Sequence, residues 1–156
     1  MHTIEDAMEI EFRPALAEDF EYCRSLYLTE MEWIIEKLHL DKSAHEASFR
    51  RDWTPGQVRI IRHGGCDVGW LQSVVRSDGF FLAQLFVEGC HQRRGVGARV
   101  MNLLIREAAQ RNQPLLLEVV KINPARRLYE RLGFQTTHED DRKYYMKLTP
   151  HLSTHP

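Results

Sequence analysis

The sequence predicts one α/β domain, an α+β arrangement in which a mixed sheet carries helices. Residues 58–87 hold three strand-like runs separated by the turn signals Gly64-Gly65 and Ser77-Asp78-Gly79, the pattern of an antiparallel meander. Residues 95–111 then change to helical spacing, with Val96, Val100, Leu103, Leu104 and Ala108 on one face. Leu115-Leu116-Leu117-Glu118-Val119-Val120 follows, a mostly apolar run suited to a strand covered on both faces.

The remaining elements follow in chain order. Residues 9–14 alternate polar and apolar side chains before Pro14, as a first strand does. Residues 19–31 place Phe20, Cys23, Leu26, Tyr27 and Met31 at helical spacing, and a second helix is expected over 33–38. A third is expected from a Ser43 cap to about Trp53, ended by Thr54-Pro55-Gly56. The meander strands fall at 58–62, 68–75 and 80–87. Asn112 and Pro114 stop the long helix. Asn123-Pro124 is an N-cap followed by proline, opening a helix to Leu132 with Gly133 as its C′ residue. Strands at 134–137 and 144–148 complete the chain. The domain is taken as residues 9–149, with flexible termini at 1–8 and 150–156.

Length and composition narrow the function. The 156 residues fit one domain. The chain is 43% apolar and 28% charged, ordinary for a globular protein. With 21 basic and 22 acidic side chains, a net charge of −1 gives no general attraction to nucleic acid or anionic lipid, so neither is an expected partner. No apolar run approaches the ~18 residues of a membrane span. The start is acidic without a signal-peptide pattern, and Met8 is an alternative start. Cys23, Cys66 and Cys90 are odd in number, widely spaced and in no metal-binding pattern. They read as reduced thiols in a cytoplasmic protein without a metal. Cys90 beside His91 is a nucleophile only if a base stands next to the thiol.

The chemistry concentrates in residues 87–98, Val-Glu-Gly-Cys-His-Gln-Arg-Arg-Gly-Val-Gly-Ala. A strand enters a glycine-containing loop that opens directly into a helix. The first N–H groups of a helix lack internal partners, and the helix dipole adds attraction for an anion. Gly95 and Gly97 allow close backbone approach, and Arg93 and Arg94 add charged donors. Helix-start glycines serving only packing, with the arginines in solvent, are the plainer alternative. The loop lacks the third glycine of a dinucleotide fingerprint and the lysine of a P-loop, which weakens both nucleotide readings.

Gln92-Arg93-Arg94-Gly95-Val96-Gly97 resembles the Gln/Arg-x-x-Gly-x-Gly/Ala signature of the GNAT-type N-acetyltransferases. Residues 123–134, from Asn123 through Ala125, Leu128-Tyr129-Glu130 to Gly133-Phe134, are similar to that family's second signature, one residue shorter before Leu128 than in many members. The order of elements resembles the family from residue 9 to about 148. The resemblance implies about seven mostly antiparallel strands with a parallel pair in the centre, flanked by helices. It implies transfer of acetyl from acetyl-CoA, with CoA as product and no metal, to a primary amine of a small molecule, amino acid or protein. Backbone groups of Leu85, Phe86 and Val87 would pair with the pantetheine arm like an added strand. Gln92, Arg93, Arg94, Gly95, Val96, Gly97 and Ala98 would hold the pyrophosphate. Asn123 would approach the pantetheine arm, and Tyr129 would sit near the sulfur as general acid. Packing is the alternative role for Tyr129.

Tyr27, Glu30 and Trp33 are the named candidates for the acceptor side, with Trp53 and residues 138–142 further ones. All of them also suit core or exposed-turn roles. The general base stays open between Glu88, Glu118 and a water chain; Gln84 on the fourth strand cannot serve. A non-catalytic acyl-CoA-binding regulatory domain is the alternative function, disfavoured by Tyr129. The assembly is left as monomer or homodimer.

Overall fold

The computed structural model describes residues 9–92 and 94–150. Arg93 and the expected flexible termini, Pro150 apart, lie outside the described residues. Seven strands follow the order β1-β2-β3-β4-β5-β7-β6: β1 (Ile10–Pro14), β2 (Val58–His63), β3 (Cys66–Arg76), β4 (Gly79–Val87), β5 (Leu115–Val120), β6 (Gln135–Glu139) and β7 (Lys143–Leu148). β4 and β5 run parallel at the centre of that order, while β1–β2, β2–β3, β5–β7 and β6–β7 are antiparallel. This is the mixed sheet with a central parallel pair that the family resemblance implies. The helices are α1 (Phe20–Lys37), α2 (Lys42–Asp52), α3 (Gly89–Gln92), α4 (Val96–Gln110) and α5 (Arg126–Arg131). The chain divides into two compact units, Met1–Gln72 with Gln84–Gly97 and Ser73–Ala83 with Ala98–Pro156.

In the first unit, α1 is one continuous helix of 18 residues, where the sequence suggested two. No glycine or proline interrupts it, and Ile34 and Ile35 extend the buried set of Cys23, Leu26 and Tyr27. The cap of α2 is Asp41 rather than Ser43: its carboxylate accepts from Ser43 N at 2.9 Å and Ala44 N at 3.3 Å. The core gathers Tyr27, Phe49, Ile60 and Trp70, with Phe20, Trp53 and Phe86 packed against it. Arg13 ties the start of the fold together, donating to both Asp19 oxygens at 2.9 Å and to Asp67 at 2.9 Å. This bidentate pairing holds the Asp19 carboxyl below its ordinary range.

The end of β4 depends on a close approach. A Cβ added at Gly69 on β3 would collide with the Phe86 carbonyl oxygen and lie 3.0 Å from Val87 Cα. Only glycine lets the two backbones meet there. Just beyond, Glu88 N–H donates to the Val68 carbonyl at 2.8 Å, the last tie before the chain leaves the sheet.

In the second unit, β5 pairs with β7 along its whole length, from Leu115↔Leu148 to Val120↔Lys143. The register of β5 with β4 covers Phe80↔Leu115, Phe81↔Leu116 and Leu82↔Leu117. β4 itself continues to Val87. Val100, Met101, Leu104 and Ala108 of α4 are buried, so Met101 takes the place expected for Leu103, which is half-buried. The β6–β7 turn is held by Asp140. Its carboxylate accepts from Arg142 N at 2.8 Å, Lys143 N at 2.7 Å and the Tyr145 hydroxyl at 2.7 Å, which lower its pKa to about 2. Residues 138–142, expected as a possible acceptor wall, thus have their central carboxylate engaged in a turn.

Gly69→Ala is expected to destabilise by roughly 1–3 kcal/mol, because one of two packed backbones must shift. Gly56→Ala, whose Cβ meets nothing within 4 Å, is the control and is expected to leave the melting temperature level or slightly higher. Equal melting temperatures for the two variants would remove the close approach as a constraint on β4.

Candidate functional site

The last residues of β4 lead into the candidate cofactor loop. Leu85 and Phe86 are half-buried and Val87 is buried. The Phe86 ring packs on Tyr27 and Trp70 at centroid distances of 5.5 and 5.3 Å. Phe86 is thereby locked from one face while its backbone continues the strand.

A turn of helix then intervenes that the sequence did not announce. In α3, Gln92 N and His91 N both donate to the Glu88 carbonyl, at 3.2 and 2.9 Å. The Gln92 side-chain amide folds back onto the Val87 carbonyl at 2.6 Å and reaches Glu30 of α1 at 3.1 Å. Glu88 accepts the Tyr22 hydroxyl of α1 at 2.7 Å. Burial and the Glu88 carboxylate together push the Tyr22 pKa far up, so this phenol keeps its proton.

Gly95 follows with φ +74°, a left-handed turn that swings the chain from α3 into α4. Val96 is fully buried and anchors the start of the helix. A Cβ at Gly95 or Gly97 would meet nothing within 4 Å. The first turn of α4, Val96-Gly97-Ala98, therefore has no side chain at Gly97 and room where one would stand, with Arg94 exposed just before it; the first N–H groups of a helix have no partner within it. Backbone donors, a helix dipole and room for a group where side chains are missing fit a phosphate.

Asn123 and Tyr129 lie in the second unit. The Asn123 carboxamide oxygen accepts from Ala125 N at 2.9 Å, capping the turn that leads into α5. The helix ends in a Schellman arrangement: Gly133 N–H donates to Glu130 O at 3.0 Å and Phe134 N–H to Tyr129 O at 3.0 Å. Gly133, at φ +104°, makes that stop possible. The motif also brings the Phe134 ring to 5.8 Å from that of Tyr129, edge to face. Tyr129 is thus fixed through both backbone and ring. Burial raises its pKa above the ordinary phenol value, so it stays protonated at neutral pH.

The other candidates fall as follows. Tyr27 is only 6% exposed, stacks on Phe49 at 5.0 Å and shares a 3.2 Å hydrogen bond with His45. These contacts are those of a core aromatic rather than of an open acceptor wall. Trp33 is 41% exposed on the same helix. Glu118 pairs with Lys143 at 3.3 Å. Cys90 is exposed on α3, and its neighbour His91 meets the His63 ring at 5.8 Å. Burial pushes the Cys23 thiol up to about 12. Among the described residues, no group of three or more His, Cys, Asp or Glu could hold a metal ion, and no helix is long and apolar enough to cross a membrane.

Sequence reasoning named the loop, Asn123 and Tyr129, and missed Gly69, Tyr22 and the double tie of Gln92. An isolated glycine inside a strand pattern was the available signal for Gly69. Tyr22 lies 66 residues from Glu88, and no local pattern marks such a pair.

Comparison with known proteins identifies the fold and the family. The family model described as FR47-like protein matches residues 65–145. PaiA N-acetyltransferase from Thermoplasma acidophilum, in complex with coenzyme A, is similar in structure with a TM-score of 0.75 at 14% identity, covering 91% of this chain and 99% of that one. Ard1 from Thermoplasma volcanium matches at a TM-score of 0.65 and 21% identity, over 89% and 96% of the two chains. The ribosomal-protein-S18-alanine N-acetyltransferase of Escherichia coli matches at 0.64 and 20%, over 93% and 96%. No curated protein matches in sequence.

Proposed function

The chain belongs to the GNAT-type N-acetyltransferases, and from that premise we propose that it transfers acetyl from acetyl-CoA to a primary amine by direct attack. The observation that carries the proposal is the passage from β4 through Gly95 into the open first turn of α4. That passage offers strand backbone and a helix N-terminus in succession, matching a ligand with an amide-bearing arm followed by a diphosphate.

In this proposal the first-turn N–H groups of α4, with Arg94, hold the diphosphate. The side chain of Gln92 is occupied with Val87 and Glu30, so it braces the loop instead of donating to phosphate. Backbone groups of residues 85–87 take the amides of the pantetheine arm, and Asn123 stands near that arm. When bound, acetyl-CoA supplies an acyl group already activated as a thioester. The backbone N–H near Val87 stabilises negative charge on the acyl oxygen. The incoming amine forms its N–C bond as the C–S bond breaks, and Tyr129 gives its proton to the departing sulfur. The proton lost by the amine leaves to solvent, and solvent returns one to Tyr129. The acceptor is an amine of a small molecule or a protein. Exposed Cys66 and Cys90, both free thiols, suit a cytoplasmic setting.

A panel of amines with acetyl-CoA, followed by release of free thiol, tests the activity. With an acceptor in hand, Tyr129→Phe is expected to slow single turnover by about 10²-fold, the low end for a positioned acid. CoA affinity should hardly change, because the ring still packs on Phe134. Wild-type single-turnover rates would rule the acid role out.

Gly97→Glu is expected to abolish CoA binding without loss of melting temperature. Its Cβ enters open space, and a carboxylate in the first helical turn is electrostatically favourable in itself. The same carboxylate repels a phosphate. Unchanged CoA affinity, measured by calorimetry, would take the diphosphate away from this helix.

A further inference from the structure

α3 has four residues, Gly89–Gln92, and a single turn does not hold its shape alone. Yet it sets the position of Gly95 and so the direction in which α4 starts. Its two ends are tied to one neighbour. At the N-terminal end Tyr22 Oη donates to Glu88 Oε2 at 2.7 Å, and at the C-terminal end Gln92 Nε2 donates to Glu30 Oε2 at 3.1 Å. Tyr22 and Glu30 lie on α1, eight residues and so roughly 12 Å apart along its axis. Gln92 Nε2 also donates to the Val87 carbonyl at 2.6 Å, joining the tie to the strand end.

We propose that Tyr22 and Glu30 are positioning residues for the cofactor loop, clamping α3 at both ends from α1 so that the first turn of α4 is held ready for the diphosphate. The inference rests on the acetyl-CoA reading of the site and adds two residues to it. It also changes the role of Glu30. Its carboxylate accepts from the cofactor loop through a hydrogen bond, where the sequence suggested contact with the acceptor amine. Tyr22 needs its proton for the clamp, and burial together with Glu88 keeps it there. Two separate ties matter because either alone leaves the other end of a one-turn helix free to pivot.

Calorimetric CoA binding to the whole protein, with the melting temperature of each variant, decides the matter. Glu30→Ala is expected to bind CoA about five- to tenfold more weakly, the scale of one charge-assisted hydrogen bond at a partly exposed site. Glu30→Gln keeps a side-chain oxygen that can accept from Gln92, and is expected to recover affinity to within about twofold of wild type. Tyr22→Phe removes only the hydroxyl and is expected to weaken binding several-fold. It carries the test if Glu30→Ala does not fold. Unchanged CoA affinity in either Glu30→Ala or Tyr22→Phe, with the fold intact, would overturn the clamp. Equal losses in Glu30→Ala and Glu30→Gln would also overturn it, because charge and not the hydrogen bond would then be the agent. In both cases wild type still binds CoA, so the acetyl-CoA reading survives. Failure of wild type itself to bind CoA would overturn that reading, and the clamp with it.

Discussion

The approach of Gly69 to the Phe86 carbonyl sets how closely β3 and β4 pack at the end of β4, and the loop into α4 starts from that point. With no Cβ in the way, the β3 and β4 backbones lie close enough for Glu88 N–H to reach the Val68 carbonyl. Phe86 is then held by Tyr27 and Trp70, so the strand end is rigid on its packed face. The chain must leave the sheet at Glu88, turn once through α3, and enter α4 through the left-handed Gly95.

The second unit solves a comparable problem with a helix end. Tyr129 can serve as an acid only if its hydroxyl keeps both its place and its proton. The Schellman stop at Gly133 meets the first need by fixing the Tyr129 carbonyl and bringing Phe134 against its ring. Burial meets the second by disfavouring the phenolate. One glycine with a positive φ therefore sets both the end of α5 and the surroundings of the tyrosine.

Much of this was legible because it is local. Gly95, Gly97, Asn123-Pro124 and Gly133 act on backbone within a few residues of themselves, so their meaning can be read from neighbours in sequence. The apolar spacing of α1 shifts around Met31 and Trp33, which suggests two helices, although nothing there breaks a helix. Ser43 has the chemistry of a cap, but Asp41, two residues earlier, holds that place with its carboxylate. α3 has too few residues to show a period. The ties that hold it join residues 62 and 66 positions apart, which no window of sequence contains. Tyr27 shows the limit most clearly: helical spacing suits a core aromatic and an acceptor wall alike, and only its 6% exposure separates them.

The proposed function stands or falls on whether the β4 end and the first turn of α4 take CoA. Backbone-assigned NMR of the whole 156-residue chain during a CoA titration tests this most directly. The expected result is a set of large amide shifts at residues 85–87, Gly95 and Gly97, with smaller changes elsewhere. Shifts absent from Gly95 and Gly97, or gathered on β6 and β7 instead, would contradict it.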